Sequence, residues 1–301
     1  MNKRILITGS NGLLGQKLVY ALLQKTNVEV IATSIGENRI HRKTGYIYES
    51  LDICNKEEVK NIFEKYKPHS VINTAAMTNV DACETKRQEC WKLNVEAVSN
   101  LADACNDSQA HLIHLSTDFV FDGEHGPYKE EDEPNPLSYY AISKYESEKI
   151  VIEKASKWAI VRTIIIYGVV DNMSRSNIVL WAKDSLGKGQ KINVVDDQFR
   201  SPTLAEDLAE ACISVAVIEA NGIYHISGAE IMSILNLVYT VADFFSLDKS
   251  LINPIKSETL NQAAKRPPRT GFILDKAIKV LGYKPHTFIE GLKIVETQLG
   301  G

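Results

Sequence analysis

Short apolar runs alternate along the chain with segments whose apolar residues recur at helical spacing. The runs are rich in Val, Ile and Leu, as buried parallel strands are, and Leu14, Leu18 and Leu22 mark one helix face after the first run. This alternation predicts a Rossmann-type, doubly wound α/β fold with a smaller, mainly helical C-terminal lobe. The predicted strands are residues 5–7, 28–32, 70–73, 110–115, 192–195 and 223–226. The predicted C-terminal helices are residues 176–187, 204–219, 231–245, 274–281 and 287–299.

The same alternation suggests two domains. We expect residues 1–168 and 192–228 to form a nucleotide-binding domain, and residues 169–191 and 229–301 to form a substrate lobe over its site.

A glycine loop, Gly9-Ser10-Asn11-Gly12-Leu13-Leu14-Gly15, joins the first strand to the first helix. A pyrophosphate must approach the backbone N–H groups at the start of that helix, and glycines leave room for it. A loop that only turns the chain is the alternative, but its place after the first strand of a βαβ pattern favours cofactor binding. We therefore expect Gly9, Asn11, Gly12, Leu13, Leu14 and Gly15 to bind a dinucleotide.

The residues after the second strand indicate which dinucleotide. No acid stands at the strand end to bind a ribose 2′-hydroxyl, whereas Ser34 and Arg39 suit a 2′-phosphate. Glu37 weakens this interpretation, and a solvated loop is the alternative. We predict NADP(H) as the preferred cofactor, with NAD(H) possible, and expect Asp52 and Ile53 to cover the adenine.

A reaction centre is predicted between residues 114 and 149. The strand ending in Ser116-Thr117-Asp118 delivers polar groups, and Ser138 is a suitable N-cap for a helix that carries Tyr140 and Lys144 on one face. An ammonium beside a phenol lowers the phenol pKa, so Tyr140 is the predicted acid, Lys144 its partner and Thr117 a second hydrogen-bonding group.

A second Tyr-x-x-x-Lys pair, Tyr145 with Lys149, follows on the same helix. Five residues along a helix rotate a side chain roughly 140° beyond a full turn, so Tyr145 should point away from Tyr140. A surface tyrosine beside a solvated lysine is the alternative for either pair. Proximity to the strand end favours Tyr140.

Small residues after the predicted strand of residues 70–73 suit a nicotinamide ribose. Ala75 and Ala76 are therefore further expected cofactor contacts. On the helix that follows, Asn94 either faces the site or is a buried asparagine with its hydrogen bonds satisfied.

Composition excludes several classes of protein. The 301 residues carry a formal net charge of −4, which argues against a nucleic-acid surface. The five cysteines are odd in number and lack Cys-x-x-Cys spacing, so we expect reduced thiols and neither a disulfide framework nor a zinc site. Only a few apolar residues precede Thr8-Gly9 and no apolar run approaches membrane length, so we expect neither a signal peptide nor a membrane span. We therefore expect a cytoplasmic protein that binds no nucleic acid and no membrane.

Several motifs together resemble the extended short-chain dehydrogenase/reductases, and within them the dTDP-4-dehydrorhamnose reductase group. They extend over nearly the whole chain: the glycine loop, Asn73-Thr74-Ala75-Ala76-Met77-Thr78-Asn79-Val80-Asp81, Ser116-Thr117-Asp118-Phe119-Val120-Phe121-Asp122-Gly123, Tyr140 with Lys144, Arg200-Ser201-Pro202-Thr203 and Arg266-Pro267.

The resemblance implies a reductase that acts on a nucleotide-linked 4-keto-6-deoxysugar. It also implies substrate contacts, for which we expect Thr78, Ser116, Asp118, Phe119, Val120, Arg200 and Arg266. Some members carry a metal-binding glutamate where Lys17 stands here. We therefore predict no metal and do not expect a dimer built on that ion, although a homodimer of another kind stays possible.

Two other activities stay open. A regulatory subunit similar to the methionine adenosyltransferase beta subunit keeps the cofactor fold without catalysis. An epimerase or dehydratase returns the hydride to its substrate, and a dehydratase carries an acid beside the threonine, where Asp118 stands.

Overall fold

A seven-stranded parallel sheet forms the centre of the protein. The computed structural model describes residues 2–172 and 176–300. The strand order is β11-β6-β5-β4-β1-β2-β3, with every neighbouring pair parallel. The predicted Rossmann-type, doubly wound fold is confirmed. The strands are β1 Lys3–Thr8, β2 Val28–Ser34, β3 Ile47–Ser50, β4 Ser70–Asn73, β5 His111–Thr117, β6 Trp158–Thr163 and β11 Gly222–Ile226.

Helices cover both faces of this sheet because its strands are apolar on both sides. Ile5 and Ile7 of β1 belong to one core cluster and Leu6 to the other. Helices α1 and α8 pack on the first face, and α2 and α5 on the second. The helices are α1 Leu13–Leu22, α2 Lys56–Tyr66, α3 Val80–Thr85, α4 Arg87–Trp91, α5 Ala97–Ser108, α6 Tyr139–Lys154, α7 Ile178–Gly187, α8 Ala205–Ile218, α9 Ile234–Phe244, α10 Asp275–Leu281 and α11 Phe288–Leu299.

A third core cluster holds the lobe together, with α7, α9 and α11 around it. Three two-stranded sheets complete the fold, namely β7 with β10, β9 with β12, and β8 with β13. These strands are β7 Ile166–Tyr167, β8 Ile192–Val195, β9 Phe199–Arg200, β10 Thr203–Leu204, β12 Met232–Ser233 and β13 Ile252–Ile255.

The strand of residues 192–195 has the predicted bounds but lies with the lobe. It pairs with β13, and Ile192 and Val194 are buried in the lobe cluster. From the sequence, this strand is predicted in the nucleotide-binding domain. The sequence pattern specifies a strand here but does not specify which strand it pairs with. The division of the chain into two domains at the boundaries given above stays a prediction.

Local capping signals fix the helix starts. The Ser138 hydroxyl accepts a hydrogen bond from the amide of Ala141, so Ser138 is the N-cap of α6, as predicted. The Asn177 side chain caps α7 in the same way, and the helix predicted from Ser176 therefore begins at Ile178.

Candidate active site

The carboxyl ends of three neighbouring strands bring the predicted site residues to one edge of the sheet. In the spatial order β5, β4 and β1, the strands lead into Asp118, Thr74 and Gly9. Open α/β sheets bind ligands at this edge. Ala75 and Ala76 follow β4 and are half-buried. Helix α6 packs on β5, so its first turn belongs to the same site.

The glycine loop has the shape that a phosphate group requires. Gly9 has a φ of +68°, and a Cβ on Gly15 would lie 2.4 Å from the carbonyl oxygen of Gly9. Gly12 is exposed, and helix α1 behind it has no side-chain cap. Ser10 has a buried hydroxyl that finds no partner among the described residues. The amides at the start of a helix without a side-chain cap, together with the open glycine, fit a pyrophosphate at the start of α1.

The other predicted residues of this loop have different surroundings. Asn11 Nδ2 donates to the Glu37 carbonyl at 2.9 Å, and its Oδ1 accepts from the Arg39 amide at 2.9 Å. Asn11 therefore ties the glycine loop to the loop after β2. Leu14 is buried in the core and Leu13 is half-buried, so a phosphate contact of theirs would use backbone amides.

The predicted adenosine contacts lie at the ends of β2 and β3. Ser34 is half-buried, and Arg39 is exposed with its carbonyl bound by the Asn172 side chain at 2.9 Å. Asp52 is half-buried and Ile53 is buried. Because Arg39 lies at the surface, its guanidinium is placed where it could contact a solvent-exposed 2′-phosphate. The cofactor role of these four residues stays a prediction.

Thr117, Phe119 and Tyr140 form the centre of the site. The rings of Phe119 and Tyr140 meet edge to face with centroids 6.1 Å apart. Burial raises the pKa of Tyr140, although a hydrogen bond with Thr117 lowers it. The expected lowering of the phenol pKa by Lys144 is therefore wrong for this structure, because burial dominates. A phenol that stays neutral is a proton donor over a wide pH range.

Lys144 is almost fully buried and faces a histidine. Its Nζ lies 3.0 Å from Nε2 of His114. Burial lowers the pKa of Lys144 to about 8, while the nearby Glu148 and Cys90 raise it. Burial also holds the pKa of His114 well below its ordinary value, so this imidazole is neutral. The site therefore contains an amine that changes charge just above neutral pH.

The second Tyr-x-x-x-Lys pair lies elsewhere. Lys149 is exposed, with its Nζ 4.4 Å from the centroid of the Tyr145 ring. Tyr140 packs with Cys83, whereas Tyr145 packs on the core cluster that contains α1 and α8. The predicted separation of the two tyrosines is confirmed. Which one is catalytic stays a prediction.

Asp118 and Arg200 form a buried ion pair behind the centre. Arg200 Nε lies 3.7 Å from an Asp118 oxygen, and Thr270 donates to the same carboxylate at 2.5 Å. The Arg200 guanidinium also donates to the carbonyls of Pro267 at 2.6 Å and Phe199 at 2.7 Å. Arg200 therefore holds the loop of residues 267–268. Its predicted substrate contact stays a prediction.

Arg266 and Thr78 lie nearer the surface. Arg266 donates to both oxygens of Asp81, at 3.1 and 2.7 Å, and so joins the lobe loop to α3. This hydrogen-bonded pair is the main cause of the lowered pKa of Asp81. Thr78 precedes α3 and is exposed.

Two predicted substrate residues point into the protein. Ser116 donates to Glu148, which Arg162 binds through hydrogen bonds of 3.0 and 2.7 Å. Val120 is fully buried in the core. The side chains of Ser116 and Val120 are thus engaged by the protein, because the strand end and the turn after it pack under the site.

Several polar residues of the site were missed in the sequence. Asn73, His114 and Glu148 are buried beside Lys144 or its neighbours. A histidine inside an apolar strand was the available signal. Asn94, for which two interpretations were open, is buried and satisfied: it accepts from the Met77 amide at 2.8 Å and donates to Ser143 at 3.0 Å.

The structure bears on two predicted absences, that of a metal site and that of a membrane span. Lys17 forms an ion pair with Glu206 at 2.8 Å. Across residues 2–172 and 176–300 there is no cluster of three or more His, Cys, Asp or Glu that could hold a metal ion. Within the same ranges no helix is long and apolar enough to cross a membrane. The absence of a metal and a possible homodimer stay predictions.

Comparison with known proteins gives a consistent family. The family model described as RmlD substrate binding domain matches residues 3–299. The dTDP-4-dehydrorhamnose reductase of Aggregatibacter actinomycetemcomitans is 33% identical, covering 96% of this chain and 97% of the relative. The methionine adenosyltransferase 2 subunit beta of Bos taurus is 32% identical, covering 97% of this chain and 86% of the relative. The solved dTDP-4-dehydrorhamnose reductase of Bacillus anthracis, in complex with NADP, has a TM-score of 0.85 at 27% identity over 99% of this chain and 100% of that chain.

Proposed function

The chain belongs to the RmlD substrate binding domain family, and we propose on that premise that it reduces the 4-keto group of a nucleotide-linked 6-deoxysugar. The observation that carries the proposal is the buried group of Thr117, Tyr140 and Lys144 at the carboxyl edge of the sheet. A reductase of a sugar ketone needs a proton donor beside a nicotinamide site, and this group supplies one. The first substrate to test is dTDP-4-dehydrorhamnose, after the relative that matches nearly the whole chain.

NADP(H) is the proposed cofactor, with NAD(H) possible. Bound at this edge, it would supply the hydride. The glycine loop would hold the pyrophosphate through the amides of Leu13 and Leu14, and Ser34 and Arg39 would contact a 2′-phosphate. The NADP complex of a related reductase supports this preference.

The chain's own residues account for the proton and the orientation. Tyr140, whose pKa is raised by burial, donates its phenol proton to the keto oxygen. Thr117 orients the same oxygen through its hydroxyl. Lys144 in its ammonium form provides positive charge near the phenolate that results.

Arg266 is a better candidate than Arg200 for the diphosphate of the substrate. Both are planar donors suited to phosphate, but Arg200 is buried and bound to backbone carbonyls. Arg266 is half-buried, and its partner Asp81 can be exchanged for another anion. Thr78 and Phe119, which are not fully buried, are proposed to line the same opening.

A second candidate function is a regulatory subunit. The bovine beta subunit of methionine adenosyltransferase is 32% identical and aligns with 97% of this chain, so similarity alone does not favour the reductase over it. The presence of both Tyr140 and Lys144 in a buried polar site favours catalysis. A binding partner does not require a proton donor at that place.

The test is NADPH oxidation with a panel of dTDP-, GDP-, CDP- and UDP-linked 4-keto sugars. We expect stoichiometric loss of NADPH absorbance with at least one of them. Product formation without net oxidation would instead identify an epimerase or a dehydratase, with the buried Asp118 as its acid. No turnover, together with co-purification with a methionine adenosyltransferase, would establish the regulatory subunit.

A further inference from the structure

A buried chain of polar side chains runs from the first strand of the sheet to Lys144. Thr8 donates to Asn73 Oδ1 at 2.6 Å, and Asn73 Nδ2 lies 3.0 Å from His114 Nδ1. On the other side of the imidazole, His114 Nε2 lies 3.0 Å from Lys144 Nζ. All four residues are buried. Such a chain has a direction, since each hydrogen bond needs one donor and one acceptor.

The amide of Ala75 fixes that direction. It donates to Asn73 Oδ1 at 3.3 Å, so the carbonyl oxygen of Asn73 must lie on that side. The Asn73 amide nitrogen then faces His114 and donates to Nδ1. A neutral imidazole that accepts at Nδ1 carries its proton on Nε2.

The Nε2 proton points at two acceptors on α6. Ser147 gives its own proton to the carbonyl of Lys144 at 2.6 Å, so its oxygen accepts from His114 Nε2 at 2.9 Å. Lys144 Nζ approaches the same N–H. A neutral amine presents a lone pair to this N–H, whereas an ammonium presents only further N–H groups.

We propose that His114 is a positioning residue of the reductase site, with its proton fixed on Nε2 by Asn73, so that it binds uncharged Lys144 and disfavours the ammonium form. This inference rests on the proposed function. It adds that His114, by favouring uncharged Lys144, limits activity at alkaline pH. In its uncharged form Lys144 is held by His114. In its charged form it gains nothing from His114 and is available to Tyr140.

The other charged groups around Lys144 do not favour its uncharged form. Glu148, on the same helix, raises the pKa of Lys144, as does Cys90 of α4. The Glu148 carboxylate is already bound by Arg162 and Ser116. Burial lowers the pKa of Lys144 to about 8, and the proposed contact with His114 acts in the same direction. Turnover should therefore fall as the pH rises through this value.

The first test reads the tautomer directly and needs no variant protein beyond signal assignment. Nitrogen-15 NMR of the histidine rings in the cofactor-free protein distinguishes N–H at Nε2 from N–H at Nδ1. We expect His114 to be neutral with its proton on Nε2 from pH 6 to 9, with its signal identified by its loss in His114→Gln. A proton on Nδ1, or a charged ring in this range, would overturn the proposal.

The second test measures the proton affinity of Lys144 by carbon-13 NMR of its Cε. In Asn73→Asp a carboxylate accepts from Nδ1–H, so Nε2 becomes an acceptor for the ammonium. We expect the affinity of Lys144 for its proton to rise about tenfold. The new charge would also act through space, so the same substitution is made in a His114→Gln background. A rise of equal size in both backgrounds would show that the effect is not transmitted by His114, and would refute the proposal.

The kinetic test separates this inference from the proposed function. With an active substrate, the alkaline limit of kcat should move to higher pH in Asn73→Asp, while KM for the keto sugar changes little. If the wild-type protein reduces no keto sugar, the proposed function fails, and the two NMR measurements still decide the role of His114.

Discussion

The substitution of Tyr140 by phenylalanine tests the proposed chemistry most directly, because the chain provides its own control. Phenylalanine keeps the ring that packs edge to face on Phe119, with centroids 6.1 Å apart, and beside Cys83. It removes the phenol proton and the hydrogen bond with Thr117. The fold should lose about 0.5–1.5 kcal/mol of stability, the usual contribution of one hydrogen bond.

The expected loss of rate is much larger. A positioned general acid contributes ~10²- to 10⁴-fold, which corresponds to roughly 2.7–5.5 kcal/mol of barrier. The measurement is single-turnover oxidation of NADPH with the keto sugar identified in the panel. Cofactor affinity, followed by NADPH fluorescence, should stay within about threefold, since the ring remains in place.

Tyr145→Phe is the matched control on the same helix. Tyr145 is half-buried, and Lys149 lies 4.4 Å from its ring centroid, a contact that phenylalanine retains. Turnover should therefore be nearly unchanged. An inactive Tyr145→Phe with an active Tyr140→Phe would refute the assignment of the helix faces, and full activity in both would leave the regulatory subunit as the better function.

Three further substitutions and one control test the cofactor site and the core. Arg39→Ala should weaken NADPH binding by about 1.5–3 kcal/mol and leave NADH binding unchanged; equal effects on both cofactors in titration calorimetry would contradict a 2′-phosphate contact. Gly15→Ala places a Cβ 2.4 Å from the Gly9 carbonyl oxygen and should cost about 1–3 kcal/mol in urea unfolding, whereas Gly187→Ala should not destabilise the protein, because among the described residues its Cβ would meet nothing within 4 Å beyond its chain neighbours and its own helix backbone. Arg162→Met leaves the buried Glu148 carboxylate unpaired and should cost about 3–5 kcal/mol; a loss below about 1 kcal/mol would show that the pair is not needed.

Elements that depend on local signals could be predicted from the sequence. The bounds of β4 and the Ser138 cap of α6 follow from apolar runs and from one hydroxyl at a helix start, and both are confirmed. The glycine loop was recognisable because its spacing and its place after a strand are local as well. The fold class followed from the order of these elements.

Partners across the fold could not be predicted, because each depends on which distant segments meet. The pairing of β8 with β13 is one example. Arg200 was expected to bind substrate, yet it binds the carbonyl of Pro267, which lies 67 positions along the chain. The direction of the Tyr140 pKa also depended on burial, which spacing along a helix does not report.

The buried face of α6 explains why the site has one arrangement. A helix that packs on a sheet normally presents an apolar stripe, but Tyr140, Lys144, Ser147 and Glu148 recur at helical spacing on the buried side of this one. Apolar contacts tolerate small shifts, whereas a buried hydrogen bond that is lost costs about 1–3 kcal/mol. A slip of α6 along β5 would break several such bonds at once. The polar face therefore fixes the register of the helix and, with it, the place of the candidate acid at the edge of the sheet. The polar partners on the neighbouring strands are Thr117, His114, Ser116 and Arg162.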